Sequence, residues 1–238
     1  MKKLVLSLAA FAAVALTIGI GVAAAATGYS LFGDAQIVSP GHNSAHAAQA
    51  TSTGSNAFGG VDFTVPAGLT VSQLSNLASD YNPTVGTCGL GSPRFSVEVT
   101  NGSTTGNLFF YIGPPPNYNA CPPGWTLSGN LASPANLVDA TQLGGAFYEP
   151  YALVQTTYGS YTVLDISLVV DGPNQTVQFD NTQINQTTYT YEPPPTKADC
   201  KNGGWQNFDG QNGSPGPFKN QGDCVSFFAT NGKNGGNG

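Results

Sequence analysis

The sequence predicts an all-β chain: an antiparallel β-sandwich with one short helix and a small disulfide-bridged appendage near the C-terminal end. Three observations carry this. Short apolar or alternating runs recur between clusters of Gly, Pro, Asn and Ser, the pattern of sandwiches and barrels. Charged residues make up only 8% of the 238, too few to give amphipathic helices their wet faces. The single Met is the first residue, so a helical core would lack its usual gap-filler.

The N-terminal segment decides how the cysteines are read. Lys2 and Lys3 precede the apolar run Leu4–Ala23 and the small-residue site Ala24-Ala25-Ala26. That is the layout of a secretory signal peptide spanning residues 1–26, with cleavage before Thr27. An uncleaved anchor competes, since roughly 20 apolar residues span a bilayer; the small-residue site and the lack of stop-transfer charges favour cleavage. The mature chain is then extracellular, at or near a cell surface, with no integral membrane span.

Removal of residues 1–26 leaves 212 residues, in which five Lys and Arg face thirteen Asp and Glu, a net charge of −8. Nucleic-acid binding needs a positive footprint, and this chain has none. Between Thr27 and Glu192 the only Lys or Arg is Arg94, against ten acids.

The body, residues 27–192, is expected to begin with strands at Ala35–Val38, Ala45–Thr51 and Ala57–Val65, the last alternating Val61, Phe63 and Val65 onto one face. Thr70-Val71-Ser72-Gln73 resembles a capping box, and Val71, Leu74, Leu77 and Ala78 share a helical stripe, so the one helix is placed here. Arg94–Thr100 alternates cleanly, Asn101-Gly102 signals a tight turn, and Asn107–Ile112 reads as a buried strand. Gly113–Ala135, broken by two proline runs, reads as an elaborated surface loop. Phe147–Tyr158 and Tyr161–Val170 read as a hairpin, and Thr176–Ile184 with Thr188–Tyr191 completes the body. Residues 193–198 form a Pro-rich linker, semi-rigid because consecutive prolines favour an extended chain. Residues 199–230 form a module with a cysteine near each end, and 231–238 is a Gly- and Asn-rich tail of disordered composition.

Four cysteines, Cys88, Cys121, Cys200 and Cys224, in an exported chain read as two disulfides with three possible connectivities. The linker divides them into Cys88–Cys121 within the body and Cys200–Cys224 within the module. A four-thiolate zinc site would need Cys-x-x-Cys spacing, which is absent.

Two resemblances add to this reading. Asp199-Cys200-Lys201-Asn202-Gly203-Gly204-Trp205, followed by Gly222-Asp223-Cys224-Val225, resembles a short C-terminal module of uncharacterised secreted proteins from actinobacteria and related bacteria. Asp209–Pro217 looks like an insertion between its halves. The body resembles similar secreted bacterial proteins through Thr87-Cys88-Gly89, Gly91-Ser92-Pro93-Arg94-Phe95 and Tyr111-Ile112-Gly113-Pro114-Pro115. Val177-Gln178-Phe179-Asp180-Asn181 with Ile184 resembles the last strand of jelly-roll carbohydrate-binding modules, which implies a jelly-roll-like sandwich.

Catalytic patterns are weak. His42 and His46 are the only histidines, without the Glu of a His-Glu-x-x-His site, and read as exposed loop residues. Ser92 lies in Gly91-Ser92-Pro93, outside any nucleophile elbow. No catalytic residue is assigned, and no cofactor is implied beyond one structural calcium ion. Its candidate ligands are Asp34, Asp62, Asp171 and Asp180, although no Asp-x-Asp-x-Asp-Gly loop exists.

Arg94 is expected to find a carboxylate, with Asp80 or Glu98 as candidates, or to form a fork for an acidic ligand. The stiff loop from Tyr111 to Trp125 offers Tyr111, Asn117, Tyr118, Asn119 and Trp125, aromatics and amides of the kind that hold sugars. The expected function is therefore non-catalytic binding of a polysaccharide or cell-envelope glycan. The alternatives are a structural envelope or matrix protein acting through self-association or protein contacts, and a small extracellular hydrolase.

Overall fold

The computed structural model describes residues 28–53, 57–193, 195–208, 215–230 and 232. The proposed signal peptide, Pro194 of the linker, residues 209–214 of the apparent insertion and nearly all of the C-terminal tail lie outside the described residues. Thirteen strands follow one another: β1 (Tyr29–Gly33), β2 (Ala35–Val38), β3 (Ala47–Ser52), β4 (Gly59–Phe63), β5 (Leu77–Val85), β6 (Arg94–Thr100), β7 (Thr105–Tyr111), β8 (Thr126–Leu127), β9 (Leu137–Val138), β10 (Glu149–Pro150), β11 (Thr162–Val170), β12 (Gln175–Ile184) and β13 (Thr187–Tyr189). Two helices complete the set, α1 (Tyr151–Tyr158) and α2 (Gln221–Ala229).

One sheet runs β1-β4-β11-β6-β7 and a second β2-β3-β12-β5-β8 with β13 added beside β12, while β9 and β10 form a two-stranded sheet of their own. The described strand pairings are antiparallel. A single apolar cluster joins the facing sides, taking Val61, Phe95, Val97, Phe110 and Leu168 from the first sheet and Ala48, Leu77, Val177 and Phe179 from the second. The expected β-sandwich is therefore present, because period-two alternation gives each sheet one apolar face and neither can bury it alone. In β6 every second residue, Phe95, Val97 and Val99, is fully buried.

Two expectations are overturned. The stripe from Val71 to Ala78 forms only a 3₁₀ turn at Val71–Gln73, and β5 begins at Leu77. The Asn185 side-chain oxygen takes the backbone N–H of Ser75 at 2.8 Å and of Asn76 at 3.3 Å, and Asn130 takes that of Leu77 at 3.2 Å. Those donors would have continued a helix. The expected capping box is present at this turn, with Gln73 accepting from the Thr70 N–H at 2.9 Å.

The second correction is at Phe147–Tyr158, whose second half is α1 rather than a strand. Tyr151, Val154 and Tyr158 are its buried residues, an i, i+3, i+7 stripe, so helical periodicity overrides the strand preference of the aromatics. Tyr151 donates its phenol proton to the carbonyls of Val71 and Leu74, at 2.9 and 2.8 Å, tying α1 to the 3₁₀ turn.

Both disulfides form as expected, Cys88–Cys121 and Cys200–Cys224. The C-terminal module has its own small cluster, Cys200, Phe218 and Cys224 with Trp205, Phe208, Phe227 and Phe228 packed around them. Asn220 caps α2, its side chain accepting from the Asp223 N–H at 2.9 Å, as N-cap asparagines do. No helix among the described residues is long and apolar enough to cross a membrane.

Candidate functional site

The outward side chains of β6 and β7 begin the site. Arg94 pairs in register with Tyr111, Ser96 with Phe109, and Glu98 with Asn107. Tyr111 should therefore face solvent, yet it is only 6% exposed. Tyr118, Phe147 and Tyr148 cover it, with ring centroids 5.8, 6.0 and 6.2 Å away. Its hydroxyl donates to Asp139 at 2.7 Å, and burial together with this bond holds the phenol protonated well above its ordinary range. Tyr118 is 4% exposed, while Phe147 and Tyr148 remain 53% and 37% exposed. The outcome is a two-tier aromatic cluster: Tyr111 and Tyr118 are the buried base, and Phe147 and Tyr148 are the surface.

Loops hold this cluster in place. The Cys88–Cys121 bond joins the proline loop to the turn Gly89–Ser92, which closes through reciprocal backbone bonds of 2.9 and 3.1 Å. A side chain at Gly91 would meet the Tyr111 ring at 3.1 Å in a backbone conformation with φ +81°, so only glycine lets the turn lie on the ring. Leu90, at its tip, is 84% exposed. Beneath the turn, Ser92 donates to Gln175 at 2.6 Å, and the Gln175 amide donates to the Thr87 carbonyl at 2.6 Å. Asn117 and Asn119 are exposed on the neighbouring loop.

Arg94 has Asp171 as its partner, with two parallel bonds of 2.7 and 2.8 Å, rather than Asp80 or Glu98. It also donates to the Gly91 carbonyl at 2.9 Å and lies 4.9 Å over the Phe109 ring. It braces the turn and is not a fork open to an acidic ligand. Farther along the same face stand Ser96, Asn107, Ser167, Asp62, Asp165 and Glu98. Asp165 lies opposite Glu98, and Asp62 opposite Ser167. Burial raises the pKa of both aspartates, helped by Glu98 for Asp165 and by Asp165 for Asp62.

Trp125 does not join this cluster. It stands beside β8, on the edge of the other sheet, with its ring stacked on His42 at 5.1 Å and 10°. His42 is not the loose loop residue the sequence suggests. Its Nδ1 is 2.7 Å from Asp80, its backbone N–H donates to Asp180 at 2.7 Å, and its carbonyl accepts from Asn181 at 3.2 Å. Asn181 also donates to Asp80 at 2.7 Å.

Asp180 is fully buried, accepts from Ser44 and from the Asn181 N–H, and has its pKa raised by burial against these bonds. Asp80 and Asp180 face each other across the β5–β12 ladder, just before a bulge in which Asn181 takes φ +46°. His46 is held likewise, its Nδ1 lying 2.8 Å from Glu192, which also accepts from the Ala45 and His46 N–H groups. The segment between β2 and β3 is thus strapped down by carboxylates distant in sequence. Spacing could not reveal them, although two histidines four apart offered a faint signal.

The proposed calcium ligands are not brought together. Asp171 is engaged by Arg94, Asp180 is enclosed under the strap, Asp62 lies on the outer face of the first sheet, and Asp34 sits between β1 and β2. Among the described residues no three His, Cys, Asp or Glu side chains group closely enough to hold a metal ion. No family model, curated protein or solved structure matches the chain.

Proposed function

We propose that the chain is a secreted or cell-surface protein whose aromatic cluster binds a polysaccharide or cell-envelope glycan, with Phe147 and Tyr148 as the contact rings. The observation that carries this reading is the two-tier arrangement itself. Two large rings stay exposed while two others, a disulfide and a closed turn hold them in position. Sugar faces carry C–H groups that stack on aromatic rings, and preorganised rings lose little entropy on contact. Asn117, Asn119 and the polar face beyond Arg94 supply donors and acceptors for hydroxyls.

The test is binding of the oxidised chain to a glycan array and to insoluble wall and plant polysaccharides. Saturable binding that falls about tenfold or more in Phe147→Ala/Tyr148→Ala, and persists in Trp125→Ala, is the expected result. Absence of saturable binding to every glycan sinks this reading and turns attention to self-association.

A hydrolase is the second reading, supported by one observation: the Asp80 carboxylate orients the His42 ring through Nδ1, as in base–orienter pairs. Turnover of p-nitrophenyl acetate that His42→Gln abolishes would support it. Equal rates in the two proteins remove it.

A further inference from the structure

At the far end of α1 from Phe147 and Tyr148 lies an open cavity of about 500 Å³, lined by Thr70, Ser72, Gln155, Thr156, Thr157 and Ser160. That volume is within the range of small-molecule sites. Its lining residues carry hydroxyls and one amide, with Gly159 among them and no charge or aromatic ring, and carbon and polar atoms share the exposed lining about equally. An anion would find no cationic partner here, and it would face the carbonyl end of α1, which carries partial negative charge. A cation would find no carboxylate. An apolar ligand would displace water from these polar side chains without replacing its hydrogen bonds.

Serine and threonine hydroxyls and the glutamine amide both donate and accept. Their complement is a neutral ligand that also donates and accepts at several closely spaced points. The walls are tied to one another: Ser72 N–H donates to the Gly159 carbonyl at 3.0 Å, Val71 N–H donates to the Tyr161 carbonyl at 3.0 Å, and the Thr70 and Ser72 hydroxyls are 3.0 Å apart. Thr156 donates its hydroxyl proton to the Ala152 carbonyl at 2.9 Å, which leaves its oxygen to act as an acceptor.

We propose that this cavity is a second subsite, taking a neutral polyol of the size of one pyranose unit. The inference rests on the glycan reading only in naming a sugar as the polyol.

The test is a titration of the full chain with D-glucose, followed by two-dimensional NMR at Ser72, Gln155, Thr157 and Ser160, with galacturonate as the anionic control. Saturating shifts confined to these residues, no response to galacturonate, and binding about tenfold weaker in Thr157→Val/Ser160→Ala are expected. Scattered or non-saturating shifts overturn the proposal, as does an undiminished response in that variant or an equal one to galacturonate. In Phe147→Ala/Tyr148→Ala the cavity response should be unchanged, so failure of the aromatic site and failure of the cavity are read separately.

Discussion

The aromatic cluster and the histidine strap are both loop structures set on the sandwich, and opposite physics holds them. At the cluster, a covalent bond and apolar contact fix the loops, the Tyr111 hydroxyl is paired with Asp139 beneath, and rings face outward. In the strap, the buried Asp180 and the half-buried Asp80 fix the loop, and the ring of Trp125 is turned against His42. Contact with a partner needs exposed, preorganised apolar surface. A loop held by buried polar groups needs every group satisfied, because an orphaned one costs more than a bond gains. The first arrangement suits recognition and the second suits fixity.

The sharpest way to break this contrast is to remove one anchor from each side. Asp180→Ala deletes the acceptor of the His42 N–H, the Ser44 hydroxyl and the Asn181 N–H, and should cost about 4 kcal/mol in chemical denaturation, since each buried donor left unsatisfied costs roughly 1–3 kcal/mol. Cys88→Ser/Cys121→Ser opens a loop with a sequence separation of 33 and should cost about 3 kcal/mol, with Phe147 and Tyr148 becoming mobile in NMR relaxation. Equal effects of both changes on Phe147 and Tyr148 would erase the distinction. Gly41 sharpens the strap side further. A Cβ there would come within 2.2 Å of the His46 carbonyl oxygen, so Gly41→Ala should loosen the His42 ring while leaving the cluster intact.

Much of the sandwich was legible in the sequence because period-two alternation is a local signal. β2 and β6 run over the expected residues, and β3, β4, β11 and β12 begin or end within two residues of expectation. Both disulfide pairs followed from where the linker falls. What could not be read was long-range. The Val71–Ala78 stripe is apolar only at helical spacing, yet Asn130 and Asn185, more than fifty residues downstream, decide against a helix. Tyr111, the last residue of β7, and Tyr118 do come together, but both are buried and not exposed to a ligand, and nothing local said that Phe147 and Tyr148 would cover them. Trp125 was assigned to the same surface, and only the pairing of β8 with β5 carries it to the other sheet.

The smallest expected effect concerns the acidic face next to the cluster. Burial and the facing Glu98 raise the folded-state pKa of Asp165 above its ordinary 3.8. A carboxyl raised in this way makes the native state bind protons more tightly than the unfolded one. Its ionised form therefore costs stability at neutral pH. The cost fades as pH falls through the folded-state value and is gone below 3.8, where both states are protonated. Asp165→Asn keeps the shape and removes the like-charge opposition across the ladder, for which cross-strand pairs suggest a gain of about 0.5 kcal/mol. Thermal denaturation should show the variant more stable at pH 7 and the two proteins converging in acid. A variant that is less stable at pH 7 would mean that the Asp165 carboxylate is held by favourable partners, and that the face beyond Arg94 is a structural network and not a desolvated surface beside the aromatic cluster.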